Sequence, residues 1–147
     1  MGEITDMNTR ALENAMNYED AELQGLFDSK EFCTALSNLI DSKGIRIKDI
    51  LDFSNISKFY LTDIRDRTKN IQPKRNKILD LCLGMNASKE EINTLLRLAH
   101  YQPLDSRGEE IDRIIIWGLA HKKSNLEIRD ILCSKHYYEF AIGGSDE

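Results

Sequence analysis

The sequence predicts an all-α protein, and three observations favour that class. Short polar residues followed three positions later by Glu, a pattern that caps helix N-termini, occur at Asp28–Glu31, Ser88–Glu91, Ser106–Glu109 and Ser124–Glu127. Apolar residues then recur with the spacing of a helix. Only 2 prolines and 8 glycines occur among the 147 residues, so few positions break a helix. We therefore expect a single small protein of helices joined by short turns.

The first two predicted helices span residues 9–24 and 29–43. Four apolar residues accompany the first of them: Leu12, Met16, Leu23 and Leu26. Asp28 suits the N-cap of the second, whose inner face carries Phe32 and Leu36. Gly44 then supplies the left-handed backbone with which helices often end.

Three further helices are predicted over 47–53, 57–66 and 73–84. Only Ser54, Asn55 and Ile56 separate the first two, and a turn this short makes the second helix cross the first steeply, as in a helix-turn-helix. Pro73 suits the first position of the third helix. Gly84 or Asn86 is expected to provide its left-handed cap.

The last three predicted helices span 89–100, 107–121 and 124–136. The run Ile114–Trp117 would by itself suit a strand. The cap pattern at Ser106–Glu109 before it, and Leu119 and Ala120 behind it, favour a helix of about four turns instead.

Composition and spacing divide the chain into four parts. They are an acidic N-terminal arm or helix over 1–28, a helix-turn-helix domain over 29–101, a C-terminal helical hairpin over 102–140 and a disordered tail over 141–147. The joint between the domain and the hairpin is placed at Tyr101–Ser106. The hairpin carries more apolar surface than two helices bury between themselves, so it is expected to pack on the 89–100 helix or to form a homodimer seam.

The charge of the chain is unevenly distributed. The formal net charge is -5, yet residues 1–30 carry seven acidic residues against two basic ones, and residues 44–79 carry nine basic residues against four acidic ones. These segments form different surfaces, and only the basic one suits an anionic partner.

The helix over 57–66 has an inner and an outer side. Leu61 and Ile64 are expected to face the core, which leaves four residues outward: Lys58, Phe59, Thr62 and Asp63. A basic loop follows, and the start of the next helix offers free amides to a phosphate. The bases placed to meet phosphates are Arg65, Arg67, Lys69, Lys74 and Arg75.

The order of core positions in this region is similar to that of a known family. Those positions are Gly44, Ile50-Leu51, Ile56-Ser57, Leu61, Ile64, Pro73, Ile78-Leu79 and Leu83. The similarity also rests on four longer segments: Pro-Lys-Arg-Asn-Lys-Ile-Leu (73–79), Leu-Leu-Arg-Leu-Ala-His-Tyr (95–101), Pro103-Leu104 and Asp-Arg-Ile-Ile-Ile-Trp-Gly-Leu-Ala (112–120). Together they resemble the Cro and lambda-repressor-like helix-turn-helix regulators, and within them a subgroup of Gram-positive bacteria and mobile elements. The resemblance covers about residues 30–135.

This resemblance implies sequence-specific binding of double-stranded DNA and control of transcription. The helix that begins at Ser57 would read bases through Lys58, Phe59, Thr62 and Asp63, while the loop bases would contact phosphates. The turn position that the family usually fills with Gly holds Asn55, which tolerates a left-handed backbone.

Other chemistries lack support in the sequence. No Gly-rich phosphate loop, nucleophile elbow or acid–base pair is present, so neither an enzyme nor a cofactor is expected. Cys133 and His136 have no second pair of ligands for a metal, and Cys33 and Cys82 suit packing. The run Ile114–Trp117 is too short to cross a bilayer. With no secretory leader, a cytoplasmic protein with reduced thiols is expected.

A second hypothesis stays open beside DNA binding. The acidic first 30 residues and Asp63 favour a protein-interaction module, an adaptor or an inhibitor of a nucleic-acid enzyme that keeps the fold without reading DNA. Independently of this choice, the helix over 9–24 is expected either to cover the core or, in a DNA-binding protein, to act as an acidic arm that screens DNA until a partner removes it. The two functions differ in whether the affinity for duplex DNA falls with salt.

Overall fold

A computed structural model describes residues 27–142 of the chain. Within this range the fold is all-helical, with seven α helices and one 3-10 helix. The α helices are α1 (Ser29–Lys43), α2 (Ile47–Asp52), α3 (Lys58–Arg65), α4 (Arg75–Gly84), α5 (Lys89–Leu98), α6 (Glu110–Ala120) and α7 (Asn125–Ser134), and the 3-10 helix is Tyr138–Phe140. The predicted helix over 9–24 lies outside the described residues, as do most of the acidic arm and most of the tail.

Most of the predicted helix boundaries are confirmed within one or two residues. The Asp28 carboxylate accepts from the amide of Lys30 at the start of α1, and Gly44 ends that helix with a φ of 64°. Both halves of the capping box form at Ser88–Glu91 and at Ser124–Glu127, so each box satisfies amides of a first turn. The local sequence therefore determines where these helices begin and end.

The prediction that Pro73 is the first residue of its helix is wrong, because α4 begins two residues later, at Arg75. Pro73 precedes the helix, and Lys74 occupies the cap position. Two tyrosines hold this segment in an extended form: the Tyr101 hydroxyl donates to the Pro73 carbonyl at 2.8 Å, and the Lys74 amide donates to the Tyr60 hydroxyl at 3.3 Å. At the other end Asn86 is the left-handed residue, with a φ of 53°, as one of the two alternatives predicted.

The predicted cap at Ser106–Glu109 is also wrong. Asp105 forms a tight turn there, because its carboxylate accepts from the amide of Arg107 and its carbonyl accepts from the amide of Gly108. As a result α6 begins only at Glu110. Asp105, one position before Ser106, thus binds the backbone amides of this segment in place of the predicted cap.

One buried cluster joins all of these helices. It takes residues from each of them and from the 3-10 helix, among them Leu36, Ile50, Leu61, Leu79, Leu96, Ile115, Leu132 and Phe140. Full burial of one such side chain stabilises a fold by about 1.5–3 kcal/mol. Within the cluster α3 packs on α1, α2 packs on α4, and α5 packs on both α1 and α4.

The predicted joint at Tyr101–Ser106 is anchored and is not a break between two cores. Leu104 is buried, and its amide donates to the Asn93 side chain at 2.8 Å. The amide of Asp105 donates to the carboxylate of Asp112 at 3.1 Å. Residues 29–101 and 102–140 therefore share one core, although the sequence divides them by composition.

A buried ion pair ties α7 to α4. Arg129 and Asp80 are only 3% and 1% exposed, and the Arg129 Nη1 lies 2.6 Å from the Asp80 Oδ1. The same guanidinium donates to the carbonyls of Asp80 and Phe140, each at 2.8 Å. Burial raises the pKa of the Asp80 carboxyl, and the charge of Arg129 opposes that shift. A pair this deep is costly to break from one side, so it fixes where the hairpin sits.

Two of the three cysteines pack in the core, as the sequence indicates. Cys33 and Cys82 are buried, and the Cys33 thiol donates to the Ile64 carbonyl at 3.0 Å. Burial raises the pKa of both thiols. In the part of the chain that the structure describes, no helix is long and apolar enough to cross a membrane.

Candidate nucleic-acid interface

Helix α3 has a buried inner face and an exposed outer face. Ser57 caps the helix, because its hydroxyl accepts from the amide of Tyr60 at 3.1 Å. Leu61 and Ile64 are each 2% exposed and hold α3 against α1. This spacing turns the opposite side of the helix to solvent.

The outer face consists of Lys58, Phe59, Thr62 and Asp63, which we call the reading face. Lys58 and Thr62 are exposed, and Phe59 is 82% exposed, the largest value among the large apolar side chains of the described residues. The Thr62 hydroxyl donates to the Lys58 carbonyl at 2.9 Å. Phe59 therefore adds an exposed apolar ring to the polar side chains of the reading face.

Asp63, at the edge of the reading face, forms an ion pair with Lys69. Its carboxylate lies 2.7 Å from the ammonium of Lys69, and both side chains are about half exposed. The hydrogen bond and the charge of Asp63 raise the pKa of Lys69. Exposed pairs of this kind contribute little to stability, so a phosphate could displace the Asp63 carboxylate from Lys69 at small cost.

Beside the reading face runs the basic loop, residues 66–74. Arg67, Lys69 and Lys74 are exposed on it. Arg67 and Lys74 form no ion pair with any residue in 27–142. The Asp66 carboxylate is bound within the loop, because the hydroxyl and the amide of Thr68 both donate to it. These hydrogen bonds lower the pKa of Asp66. The loop therefore presents cationic side chains to solvent next to α3.

Arg75 does not belong to this surface, which corrects the sequence prediction. Its guanidinium donates two hydrogen bonds, of 2.7 and 2.8 Å, to the nearly buried carboxylate of Asp112. It also donates to the carbonyls of Gln102 and Pro103. The hydrogen bonds to Asp112 and the charge of its carboxylate raise the pKa of Arg75. Together with the two carbonyl contacts, they leave the Arg75 side chain little capacity for a phosphate. Arg75 fastens the start of α4 to the hairpin.

Arg65 is intermediate between the exposed bases of the loop and Arg75, which is bound inside the fold. It is half-buried at the last turn of α3, and its Nε is shielded from solvent with no acceptor among the described residues. Its position in line with the reading face agrees with the sequence prediction, while its burial leaves less of the guanidinium available. We therefore treat Arg65 as a residue at the margin of the surface.

The turn between α2 and α3 is built differently from the sequence expectation. Asn55 does not have a left-handed backbone. Its amide instead donates to both carboxylate oxygens of Asp80, at 3.1 and 3.2 Å, and its carbonyl accepts from the ammonium of Lys77 at 3.1 Å. The Asn55 side chain donates to the carbonyl of Glu139 at 2.9 Å. Asp80 thus joins the turn to Arg129, and the C-terminal hairpin supports it.

Two residues that position the surface were not identified from the sequence as part of it. Tyr60 holds the amide of Lys74, and Lys77 holds the carbonyl of Asn55 while its ammonium lies 6.0 Å from the centre of the Tyr60 ring. Tyr60 is amphipathic and lies in the first turn of α3, on the side opposite the reading face, which is a weak signal for such a role. Its partner lies fourteen residues further along the chain, so only the fold identifies it.

The predicted homodimer through the C-terminal hairpin stays a prediction. Much of the apolar surface that motivated it is used inside the protein, where Ile115, Ile128 and Leu132 are buried. Trp117 and Leu126 remain 45% and 50% exposed on the hairpin. These two side chains are the part of the predicted seam that is open to a second copy.

Comparison of the chain with protein-family models, with curated proteins and with solved structures gives no match. Across residues 27–142, no group of three or more His, Cys, Asp or Glu side chains is arranged to hold a metal ion. The reading face and the basic loop therefore form the site from which we infer function.

Proposed function

We propose that the protein is a sequence-specific, double-stranded DNA-binding regulator of transcription, in which α2 and α3 act as a helix-turn-helix. The observation that carries this proposal is the outer side of α3. It is exposed at Lys58, Phe59 and Thr62, and the buried Leu61 and Ile64 hold it in place. It lies beside Arg67 and Lys74, which form no ion pair with any residue in 27–142. A short rigid helix with a polar outer face suits the width of the major groove.

The side chains of the reading face match the chemistry of base edges. The Lys58 ammonium can donate to the acceptors of guanine, and the Asp63 carboxylate can accept from the amino group of cytosine. Phe59 and the methyl group of Thr62 offer apolar contact to a thymine methyl. Reading of sequence is assigned to these four residues, because side chains that reach base edges carry the specificity.

The phosphate contacts are assigned to Arg67, Lys69 and Lys74, with Arg65 at the margin. All three are exposed and lie on the loop that follows α3. They would position the protein on any duplex, since phosphates carry no sequence information. Arg75, which binds Asp112, is left out of this set.

The test is the salt dependence of binding to a labelled random-sequence duplex, followed by fluorescence anisotropy. Three phosphate contacts predict that log affinity falls with log salt at a slope of about -3. Lys74→Ala should weaken binding to all duplexes and flatten the slope by about one unit. Lys89→Ala is the matched control, because Lys89 is exposed on the first turn of α5, outside the proposed surface. A chain that binds no duplex at low salt would contradict the proposal.

One observation favours the second function, a protein-interaction module. Phe59 is 82% exposed, and the Asp63–Lys69 pair beside it reduces the local positive charge, as at many protein interfaces. In that case Phe59→Ala would abolish binding to a protein partner, while the chain would show no salt-dependent affinity for duplex DNA. The same anisotropy titration therefore separates the two functions.

A further inference from the structure

A groove runs along the seam between α1 and α5, and Arg67 is the one residue of its lining that also belongs to the surface of the proposed function. Its wider part has a volume of about 560 Å³ and is lined by Lys30, Arg67, Arg97 and Leu98, among others. Its narrower part has a volume of about 300 Å³ and is lined by apolar and small polar side chains and by Glu91, whose carboxylate is paired with Lys43. Ala35 and Asn38 of α1 line both parts, so the groove is continuous.

The groove has a basic end and an apolar floor. Lys30, Arg67 and Arg97 make no ion pair with another described residue, and Glu31 is the one acidic residue that lines this end. Further along, the floor is formed by apolar side chains of the two helices: Ala35, Leu39, Leu95 and Leu98. The groove therefore suits an amphipathic segment with an acidic end.

The chain enters the described structure at this basic end. The Phe27 ring lies 6.4 Å from that of Phe32 on α1 and 6.0 Å from that of His100, two residues after the last residue of α5. Residues 1–26 are therefore attached beside Lys30 and Arg97. Glu22 is five residues before Phe27, a rise of about 8 Å along a helix.

Residues 1–26 have the composition that the groove demands. They carry six acidic residues and one basic residue. Their apolar residues Leu12, Met16, Leu23 and Leu26 would share one face of a helix, and Glu19 would lie on the same face between Met16 and Leu23. Three of the acidic residues are close to the point of attachment: Glu19, Asp20 and Glu22.

We propose that residues 9–26 of the same chain dock in this groove as an amphipathic helix, antiparallel to α1. The apolar face covers the floor between α1 and α5, and the carboxylates of Glu19, Asp20 and Glu22 face the basic end. A helix over 9–24 would be about 24 Å long, enough to cover the stretch of α1 that lines the groove. The short link through Phe27 and Asp28 suits two antiparallel helices.

Docking would regulate the DNA surface, a consequence that rests on the proposed function. Arg67 lines the groove and also belongs to the basic loop. A carboxylate that binds Arg67 therefore competes with a DNA phosphate for the same guanidinium. The acidic segment would act as an internal competitor, and DNA or a partner that binds the segment would displace it.

The docking is tested by amide hydrogen exchange of the full chain. Amides of residues 9–26 should exchange about tenfold or more slowly than those of an unstructured peptide of the same sequence. The double charge reversal Lys30→Glu/Arg97→Glu should remove most of this protection. Arg113→Glu/Lys135→Glu reverses two exposed charges outside the groove and should leave it unchanged. Adding Glu19→Lys, Asp20→Lys and Glu22→Lys to the Lys30→Glu/Arg97→Glu variant should restore the protection of residues 9–26.

Three outcomes would overturn the docking. They are exchange of residues 9–26 at the rate of the free peptide, protection that survives Lys30→Glu/Arg97→Glu, and protection that grows with protein concentration, which would mean docking on a second copy. None of these measurements requires DNA, so docking and DNA binding can fail separately. If both hold, Glu19→Gln/Asp20→Asn/Glu22→Gln should raise the affinity for a random duplex at low salt by about tenfold. An unchanged affinity would contradict the competition for Arg67.

Discussion

At the scale of single residues, Lys74 and Arg75 are adjacent bases with different roles. The Lys74 side chain is exposed and makes no ion pair with the described residues, whereas the Arg75 guanidinium is bound to Asp112 and to two carbonyls. Lys74 has an extended backbone at the cap position, whereas Arg75 is the first residue of α4, so the two adjacent side chains have different surroundings. Sequence alone groups them by charge.

Arg75→Ala is therefore expected to destabilise the fold. It removes charge-assisted hydrogen bonds and leaves the Asp112 carboxylate, which is nearly buried, with only the Asp105 amide as partner. The free energy of unfolding in urea should fall by about 2–3 kcal/mol. Lys74→Ala is the control and should leave stability within about 0.5 kcal/mol of the parent. Equal effects of the two substitutions would contradict the assignment.

The reading face supports a second prediction at this scale. Lys58→Ala and Thr62→Ala should keep the fold and the affinity for random duplex, and each should cost about 1–3 kcal/mol on the preferred site. Thr94→Ala is a matched control, since the exposed Thr94 on α5 makes the same bond to a carbonyl four residues earlier as Thr62 does. Competition binding with the selected site and with random DNA measures the difference.

Asp63→Asn distinguishes two roles of that carboxylate. If Asp63 accepts from a cytosine, the substitution should relax the preference at one base pair. If it only holds Lys69, the substitution should free that ammonium and tighten binding to every sequence. Should the Lys58, Thr62 and Asp63 variants all bind specific and random DNA as the parent does, α3 is not the reading helix.

At the scale of elements, the contact between α6 and α7 depends on Gly118. A Cβ at this position would lie 2.5 Å from the Cγ1 and 2.7 Å from the Cδ1 of Ile128, closer than side chains approach. Ile128 is only 1% exposed, so it is part of the buried core. The two helices can therefore approach this closely because residue 118 has no side chain.

Gly118→Ala should lower the free energy of unfolding, although alanine is the better helix former. The propensity gain of about 1 kcal/mol is outweighed by an overpacking cost of about 1–3 kcal/mol. In an Ile128→Ala background, which removes both clashing atoms, the same substitution should become neutral or stabilising. A double-mutant cycle in urea measures this coupling, and additive effects would contradict the close contact.

At the scale of the whole molecule, the C-terminal hairpin is part of the core that holds α3. Asp80 accepts from the amide of Asn55 in the turn before α3 and from the guanidinium of Arg129 on α7. Leu104 and Phe140 are buried in the same cluster as the helices of residues 29–101. The orientation of the reading face is therefore coupled to the hairpin.

This coupling predicts a single cooperative unfolding transition. Far-UV circular dichroism reports all helices, and the fluorescence of Trp117, the sole tryptophan, reports α6. The two urea curves should superimpose. Arg129→Met should lower the free energy of unfolding obtained from both curves by about 3 kcal/mol, because it leaves the Asp80 carboxylate buried without its cation. Two separate transitions would support independent domains instead.

The sequence by itself determined the fold class and most helix boundaries of this protein. Asp28, Ser57, Ser88 and Ser124 act as caps through amides within three residues of themselves, so their effect can be read locally. The outward placement of Lys58, Phe59 and Thr62 also follows from helical period alone.

Tertiary structure alone decided which charges are free and which elements form one body. The partner of Arg75 is 37 residues away, that of Arg129 is 49 residues away, and the basic end of the groove combines Lys30, Arg67 and Arg97 from three parts of the chain. A pattern of spacing has no information on such distant pairs. Their contacts are set by how the helices pack, because long-range ion pairs form only after the core has brought their backbones together.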